Sequence, residues 1–424
     1  MKTIREILNF FEFVTGFNMK NILKITLTSL LFGYVSFLMA DDWPGFLGPK
    51  RNGHAPIKNE TFLETPKLTW SINVGEGFSG PVIFGETVFL HHRNQNSEDI
   101  SAFDLKTGET LWKKSFTTNY IDDFSRGNGP RSTPSVNKTT IICISPDGIL
   151  RALSTTNGKL MWEKNLLSEF EASKVFFGFG SSPLIIDEKV IVMAGGKKAG
   201  CICININDGS IVWKSENFKG SYASPISAKI ENQDTILVFQ REGLSILKLE
   251  DGKTLGSFPW RARFDASVNA STPLFQDEQI FLTASYGTGA TLVKFNQGKF
   301  EKYWANDNSL SCHFGTPIIA NGFLYGFHGR QESGPELRCV NLKSGEVMWS
   351  KDGSGSGSLI KFNEHYLVLT EDGTIFINKL NSNKFDSLFS KKILDGACRA
   401  QPGFSDKYLL ARDATKLICL QIIK

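Results

Sequence analysis

Eleven residues, Ala102 to Trp112 (AFDLKTGETLW), recur along this chain, and no other feature restricts its fold as tightly. They spell the end of one β-strand, a tight turn and the start of the next. Gly108 supplies the residue free to take positive φ, and Asp104 is placed to bond turn backbone ahead of it. Trp112 gives the return strand a large apolar anchor. Clear copies are Ala152 to Trp162, Cys203 to Trp213 and Cys339 to Trp349. Weaker ones run from Leu247 to Gly256, Leu292 to Trp304 and Ile377 to Phe385. The turn glycines 108, 158, 209, 252, 298 and 345, with Asn383 seventh, are spaced by 50, 51, 43, 46, 47 and 38 residues. A repeat of roughly 40–50 residues made only of strands and turns predicts propeller blades.

A second marker keeps the same phase. A small residue precedes proline at Gly80-Pro81, Thr133-Pro134, Ser182-Pro183, Ser224-Pro225, Thr272-Pro273 and Thr316-Pro317; Gln401-Pro402 holds the place with a larger residue, and Ser358-Leu359 without the proline. These are eight blade starts. Lys67 to Val74 (KLTWSINV) matches the strand after a turn, with Trp70 as its anchor, but no turn precedes it. Lys416 to Lys424 (KLICLQIIK) matches the strand before a turn. The two are expected to share one blade and close the ring, removing its free edges. The fold class predicted is all-β, an eight-bladed propeller over residues 67–424. Trp70, Trp112, Trp162, Trp213 and Trp349 are its structural anchors, expected to be largely buried between blades. Within each blade the first strand lines the channel. The third-to-fourth-strand turns then lie on one face, and the blade-to-blade connections with the second-to-third-strand loops on the other.

Composition narrows the function. Forty-seven basic against 43 acidic residues leave a net charge of +4, too balanced for a nucleic-acid partner. Seven cysteines cannot all pair with one another, and none form C-x-x-C. Cys203, Cys339 and Cys419 fall at the repeat position held elsewhere by Ala102 and Ala152, so they read as small buried hydrophobes.

Residues 1–40 are expected to lie outside the fold. Met19 to Lys24 is a basic stretch, Ile25 to Leu38 an apolar run short for a membrane span, and Leu38-Met39-Ala40 a cleavage site before Asp41. This pattern predicts a signal peptide beginning at Met19, with residues 1–18 as upstream sequence; an uncleaved anchor is the competing reading. The location implied is periplasmic or secreted, with membrane contact only in transit. Residues 41–66, including Trp43-Pro44-Gly45-Phe46-Leu47-Gly48, form a segment expected to dock on the propeller as a clasp.

Unusual polar residues gather on the connection face. Arg131, His313 and Arg399 stand two to four residues before a blade start, which puts them near the channel mouth. Arg241, Arg263, Arg330 and Asp265 belong to the same face. Converging arginines suit a carboxylate, phosphate or sugar ligand; the alternative is that Arg–Asp pairs staple neighbouring blades. Asp265 is the candidate catalytic base should the site be an active one. His91-His92 point to opposite sides of a strand and do not form a metal site. The Gly75 to Gly80 stretch spells G-x-G-x-x-G but opens no helix, so it is no dinucleotide fingerprint.

The repeat resembles the quinoprotein-type, PQQ-like propeller family, known from the pyrroloquinoline-quinone (PQQ) dehydrogenases and the outer-membrane assembly lipoprotein BamB. AFDLKTGETLW is similar to that family's tryptophan-docking repeat. WPGFLGPKRNG and the loop around Gly329-Arg330-Gln331-Glu332 look like a secreted PQQ-like subgroup of unknown activity. The resemblance implies either a binding or scaffold module for a protein or glycan ligand, or a quinone-dependent dehydrogenase of sugars or alcohols using PQQ with calcium. The sequence lacks the vicinal cysteine pair that often covers the quinone in such enzymes and is shorter than they are, which favours the binding module.

Overall fold

The computed structural model describes residues 42–57, 60–124, 127–264 and 269–424. The expected signal peptide lies outside them, as does Asp265. Among these residues, eight antiparallel sheets of four strands each form the blades of a propeller. Each blade starts on a short strand just after its proline: Val82–Phe84, Ser135–Val136, Leu184–Ile186, Ile226–Ile230, Leu274–Gln276 and Ile318–Ala320, then Gly357–Lys361 without one, then Gly403–Ser405. We number the blades 1 to 8 in that order. Blade 8 is completed by Phe62–Asn73, which pairs with Lys416–Ile423 through Trp70 opposite Cys419 and Asn73 opposite Lys416. The shared closing blade is therefore present, and its outer strand begins five residues earlier than expected.

Two joints hold each blade to the next. The outer joint is the tryptophan. The indole N–H of Trp70 donates to Leu105 O at 2.8 Å, Trp112 to Thr155 O at 2.7 Å, Trp162 to Ile206 O at 2.8 Å and Trp213 to Leu249 O at 2.9 Å. Each ring lies over the turn glycine of the following blade. A Cβ on Gly158 would stand 2.5 Å from Trp112 and one on Gly209 2.9 Å from Trp162, and both glycines have positive φ. The residue paired across the strand from each of these anchors is small: Ala102, Ala152, Cys203 and, opposite Trp70, Cys419. That explains Cys203, Cys419 and Cys339, the last opposite Trp349, and all seven cysteines are free and buried, with Cys419 pushed up to about 12 by burial. A β-bulge precedes each of these anchors, with Thr69, Leu111, Met161 and Val212 as the extra, exposed residues.

The inner joint explains the small residue before proline. Gly80 N donates to Thr133 Oγ1, Thr133 N to Ser182 Oγ, Ser182 N to Ser224 Oγ, Ser224 N to Thr272 Oγ1 and Thr272 N to Thr316 Oγ1, at 2.9–3.1 Å. Each hydroxyl satisfies a backbone N–H of the preceding blade, so a belt runs around the channel from blade 1 to blade 6. Gln401 closes part of the remaining arc by donating to Leu359 O at 3.0 Å.

Three details differ from expectation. Trp112 and Trp349 are only half-buried, whereas Trp162 and Trp213 are buried. Trp304 is a sixth anchor, donating to Leu342 O at 2.9 Å. Its hairpin pairs Leu292 with Trp304, two residues longer than the Cys203–Trp213 hairpin, which shifts it out of the motif. The joint between blades 4 and 5 has no anchor tryptophan. There Gly256 takes the anchor position and Phe295 of blade 5 fills the space; a Cβ on Gly256 would stand 2.4 Å from that ring.

The segment from Trp43 to Ala55 is more than a surface clasp, since it fills the channel. Trp43 exchanges two backbone bonds with Ile83, Val136 N donates to Pro44 O at 2.8 Å, and Lys361 N donates to Gly53 O at 2.7 Å. Arg51, 5% exposed, reaches across the channel. Its Nη1 donates to Pro225 O at 2.9 Å and Ser182 O at 3.2 Å, and its Nη2 to Ser135 Oγ at 3.1 Å and to Pro183 O. Burial lowers its pKa to about 9, still above neutral pH, so the guanidinium enters as a cation met by carbonyl dipoles. Leu47 and Arg51 both take left-handed backbone, a strain that only such surroundings sustain.

The outer joint is testable by thermal unfolding followed by circular dichroism. Trp162→Ala should cost ~3–5 kcal/mol. Gly209→Ala should fall nearly as far, whereas Gly298→Ala, with nothing near its Cβ, should lose only the ~1–2 kcal/mol of a left-handed alanine. Equal losses at both glycines would dissociate the turn from the ring. For the channel segment, Arg51→Met should cost about 3 kcal/mol by stranding its acceptors, while the exposed neighbour Lys50→Met leaves the melting temperature in place.

Candidate functional site

A cavity of about 340 Å³ opens on the connection face, at the small end of the range for ligand sites. Phe46 of the channel segment lines it, while Arg51 bonds deeper in the channel to the backbone that leads into blades 3 and 4. Connections and loops of several blades supply its walls. Arg131 comes from the connection between blades 1 and 2, His313 from that between blades 5 and 6, and Arg399 from that between blades 7 and 8. Arg330 comes from the second-to-third-strand loop of blade 6. Four of the residues singled out from sequence thus meet at one cavity.

The other candidates do not. Arg241 is buried in its own loop and donates Nη2 to Phe264 O at 2.9 Å. Arg263 is exposed on the surface and is not part of the lining. Both are on the predicted face, but Arg241 bonds the neighbouring connection and the Arg263 side chain is exposed, so neither lines the cavity. Asp265 lies outside the described residues.

Each cavity arginine is held by a ring and a carboxylate. Arg131 stacks 5.7 Å from the Phe78 ring centroid and 5.5 Å from that of Phe177, with Asp122 Oδ1 at 3.7 Å. Arg399 lies 5.5 Å from the Phe78 centroid and bonds through Nε to Glu371. Arg330 packs 4.3 Å from the Tyr286 centroid and pairs with Glu332 at 3.3 Å. The faces of the guanidiniums are thereby occupied by aromatic rings, and their N–H edges are left to point elsewhere. Arg131 Nη1 and Arg330 Nε are buried and have no hydrogen-bond partner among the described residues.

His313 joins this set. Tyr286 Oη lies 3.1 Å from its Nε2 and Gln331 Oε1 2.6 Å from its Nδ1. Gln331 Nε2 in turn donates to Glu332 Oε1 at 3.3 Å. With Glu332 paired to Arg330 and Arg330 on Tyr286, five side chains form a closed circuit. Burial lowers the His313 pKa, with Arg330 and Arg399 adding to the effect against the raising bond from Gln331. The imidazole is therefore neutral at pH 7, its Nδ1–H donating to Gln331 and its Nε2 accepting from Tyr286.

Sequence inspection missed Phe46, Tyr222 and Gln331, which also line the cavity. Phe46 was visible as an aromatic in a polar stretch. Tyr222 precedes the Ser224-Pro225 blade start by two residues, the same offset that flagged Arg131, and went unread because attention fell on charge.

A quinoprotein centre would need oxygen ligands for calcium and donors for the quinone's carboxylates. The three arginines would suit the carboxylates. Among the described residues, no group of three or more His, Cys, Asp or Glu side chains is placed to hold a metal ion.

Comparison with known proteins agrees with the architecture. Relatives include the outer membrane protein assembly factor BamB of Kangiella koreensis, 27% identical over 189 residues, covering 44% of this chain and 44% of that protein. The same factor from Moranella endobia is 23% identical over 198 residues, 46% of this chain and 45% of its own length. The chain thus matches less than half the length of these relatives. The crystal structure of BamB from Moraxella catarrhalis superposes with a TM-score of 0.62 at 15% identity, over 84% of this chain and 98% of that one. A europium-containing methanol dehydrogenase gives 0.55 at 10% identity, over 91% and 98%. At such identities the likeness is one of fold alone. The family model described as outer membrane protein assembly factor BamB matches residues 96–351, and the chain belongs to that family of PQQ-like β-propellers.

Proposed function

We propose that this protein is a binding module of the cell envelope, without catalysis of its own, that holds an acidic ligand at the mouth of its channel. The observation that carries this reading is the convergence of Arg131, Arg330 and Arg399, from separate loops, on one cavity whose far end is lined by the N-terminal segment. Ring stacking and a carboxylate hold each guanidinium, so little ordering remains to be done when an anion arrives. The names of its relatives, outer membrane protein assembly factors, support a ligand borne on a protein. A glycan ligand remains part of the same proposal, because its acidic groups ask for the same donors.

Citrate and sulfate serve as probes. Wild-type protein should gain thermal stability with either anion, and Arg131→Gln and Arg399→Gln should lose that gain. Without anion, Arg131→Gln should lower the melting temperature more than Arg399→Gln, because its partner Asp122 is fully buried while the Arg399–Glu371 pair is part-exposed. A large fall in melting temperature with no anion response in wild type would make these arginines staples between blades instead.

The envelope location rests on the signal-peptide pattern from Met19 to Ala40. N-terminal sequencing of the exported protein should begin near Asp41; a retained Met1 or Met19 would favour an anchor.

A further inference from the structure

Resting on the proposal that the mouth cavity is a ligand site, we infer that it receives the end of an acidic oligosaccharide, one sugar ring bearing a carboxylate or a sulfate ester. The shape of the site argues for an end. Phe46 lines the cavity, and behind it Arg51 spans the channel between the backbone leading into blades 3 and 4 and Ser135 of blade 2. A chain cannot thread through, so its terminal unit must enter.

The lining argues for a sugar. A bare phosphate or sulfate needs donors only. This cavity sets guanidinium donors beside acceptors, Glu332 and the Thr133 hydroxyl, and between them places the apolar rings of Phe46, Phe177 and Phe314. A pyranose has that mixed character: hydroxyl groups that both donate and accept around its edge, and C–H faces that lie against aromatic rings. The acid group would take guanidinium N–H donors of Arg131, Arg330 and Arg399, which line the cavity.

An exit for the rest of the chain is present. Gln331 lines both this cavity and a second, open hollow of about 420 Å³ on the same face. That hollow is walled by Ser356, Asp372, Lys392 and Asp395, with Gly355 beside them. It is polar, shallow and without aromatic side chains, suited to hydroxyl-rich units that follow the first. Glu371 bridges the two, bonding Arg399 of the cavity and accepting from Ser356 Oγ at 2.9 Å in the hollow.

The experiment is calorimetric titration of the full chain with galacturonate oligomers of one, two and four units, sulfated galactan oligomers of matched length, and neutral galactan oligomers. Acidic tetramers should bind about tenfold or more tighter than neutral ones, the span of one charge-assisted contact. Carboxylate and sulfate series then identify which acid group is preferred. Arg131→Gln should abolish this preference, and Arg131→Lys should restore part of it if the fold is intact. Lys392→Gln and Asp395→Asn should weaken the tetramer while leaving the monomer unchanged. Tetramers blocked at both ends should fail to bind. Neutral and acidic oligomers binding alike, or blocked tetramers binding as well as free ones, would overturn the inference. Citrate and sulfate binding at the arginines with no acidic oligosaccharide binding would overturn it and leave the broader binding role standing. No response to any anion would remove both.

Discussion

The contact between neighbouring blades is what this structure depends on. A four-stranded sheet has two faces to cover and cannot cover them alone. Here six of the joints carry an indole far from the axis, and from blade 1 to blade 6 a Ser or Thr hydroxyl near the axis accepts the preceding blade's N–H. The outer joint contributes mainly apolar area; the inner one satisfies backbone where water is scarce. Blades 4 and 5 have no tryptophan between them, yet Ser224 N still donates to Thr272 Oγ1 and Phe295 takes up the room left by Gly256.

The fold was legible because the joints are local in sequence. A turn glycine and a tryptophan ten residues beyond the opposite strand position form one motif, and the belt residue announces itself by the proline that follows. What escaped were the places where partners swap size or spacing. Trp304 ended a weak copy but was not read as an anchor, because its hairpin is two residues longer, and the weak copy ending at Gly256 did not show Phe295 as its counterpart, because the large side chain moved to the neighbouring blade. The site was half legible. Arg131, His313 and Arg399 were found from their offset to the blade starts, since the inner strand fixes where those residues emerge. Arg241 and Arg263 have no such tether: Arg241 bonds Phe264 of the next connection, and Arg263 is exposed.

Arg51 shows the limit of periodic reasoning most plainly. It is one basic residue in a loop rich in glycine and proline, and nothing near it repeats. Its position follows only from the closed ring, whose axial carbonyls point inward with no strand to accept from. A cation is a sufficient partner for several of them at once. The same side chain links stability to the site, since the segment that brings Arg51 into the channel also brings Phe46 to the cavity wall.

The shared closing blade gives this ring an order of assembly. The segment inside the channel leads directly into Phe62–Asn73, the outer strand that pairs with the last strand of the chain. The axial segment is therefore tethered to the seam. Its contacts span blades 1, 2, 3, 4, 6 and 7 and cannot all form while the ring is open. Closing the seam and seating the segment become one late step, built on pairings between the two ends of the sequence. Such distant pairings make folding slow. Until that step, the edges of blades 1 and 8 stay uncovered and prone to pair with other chains.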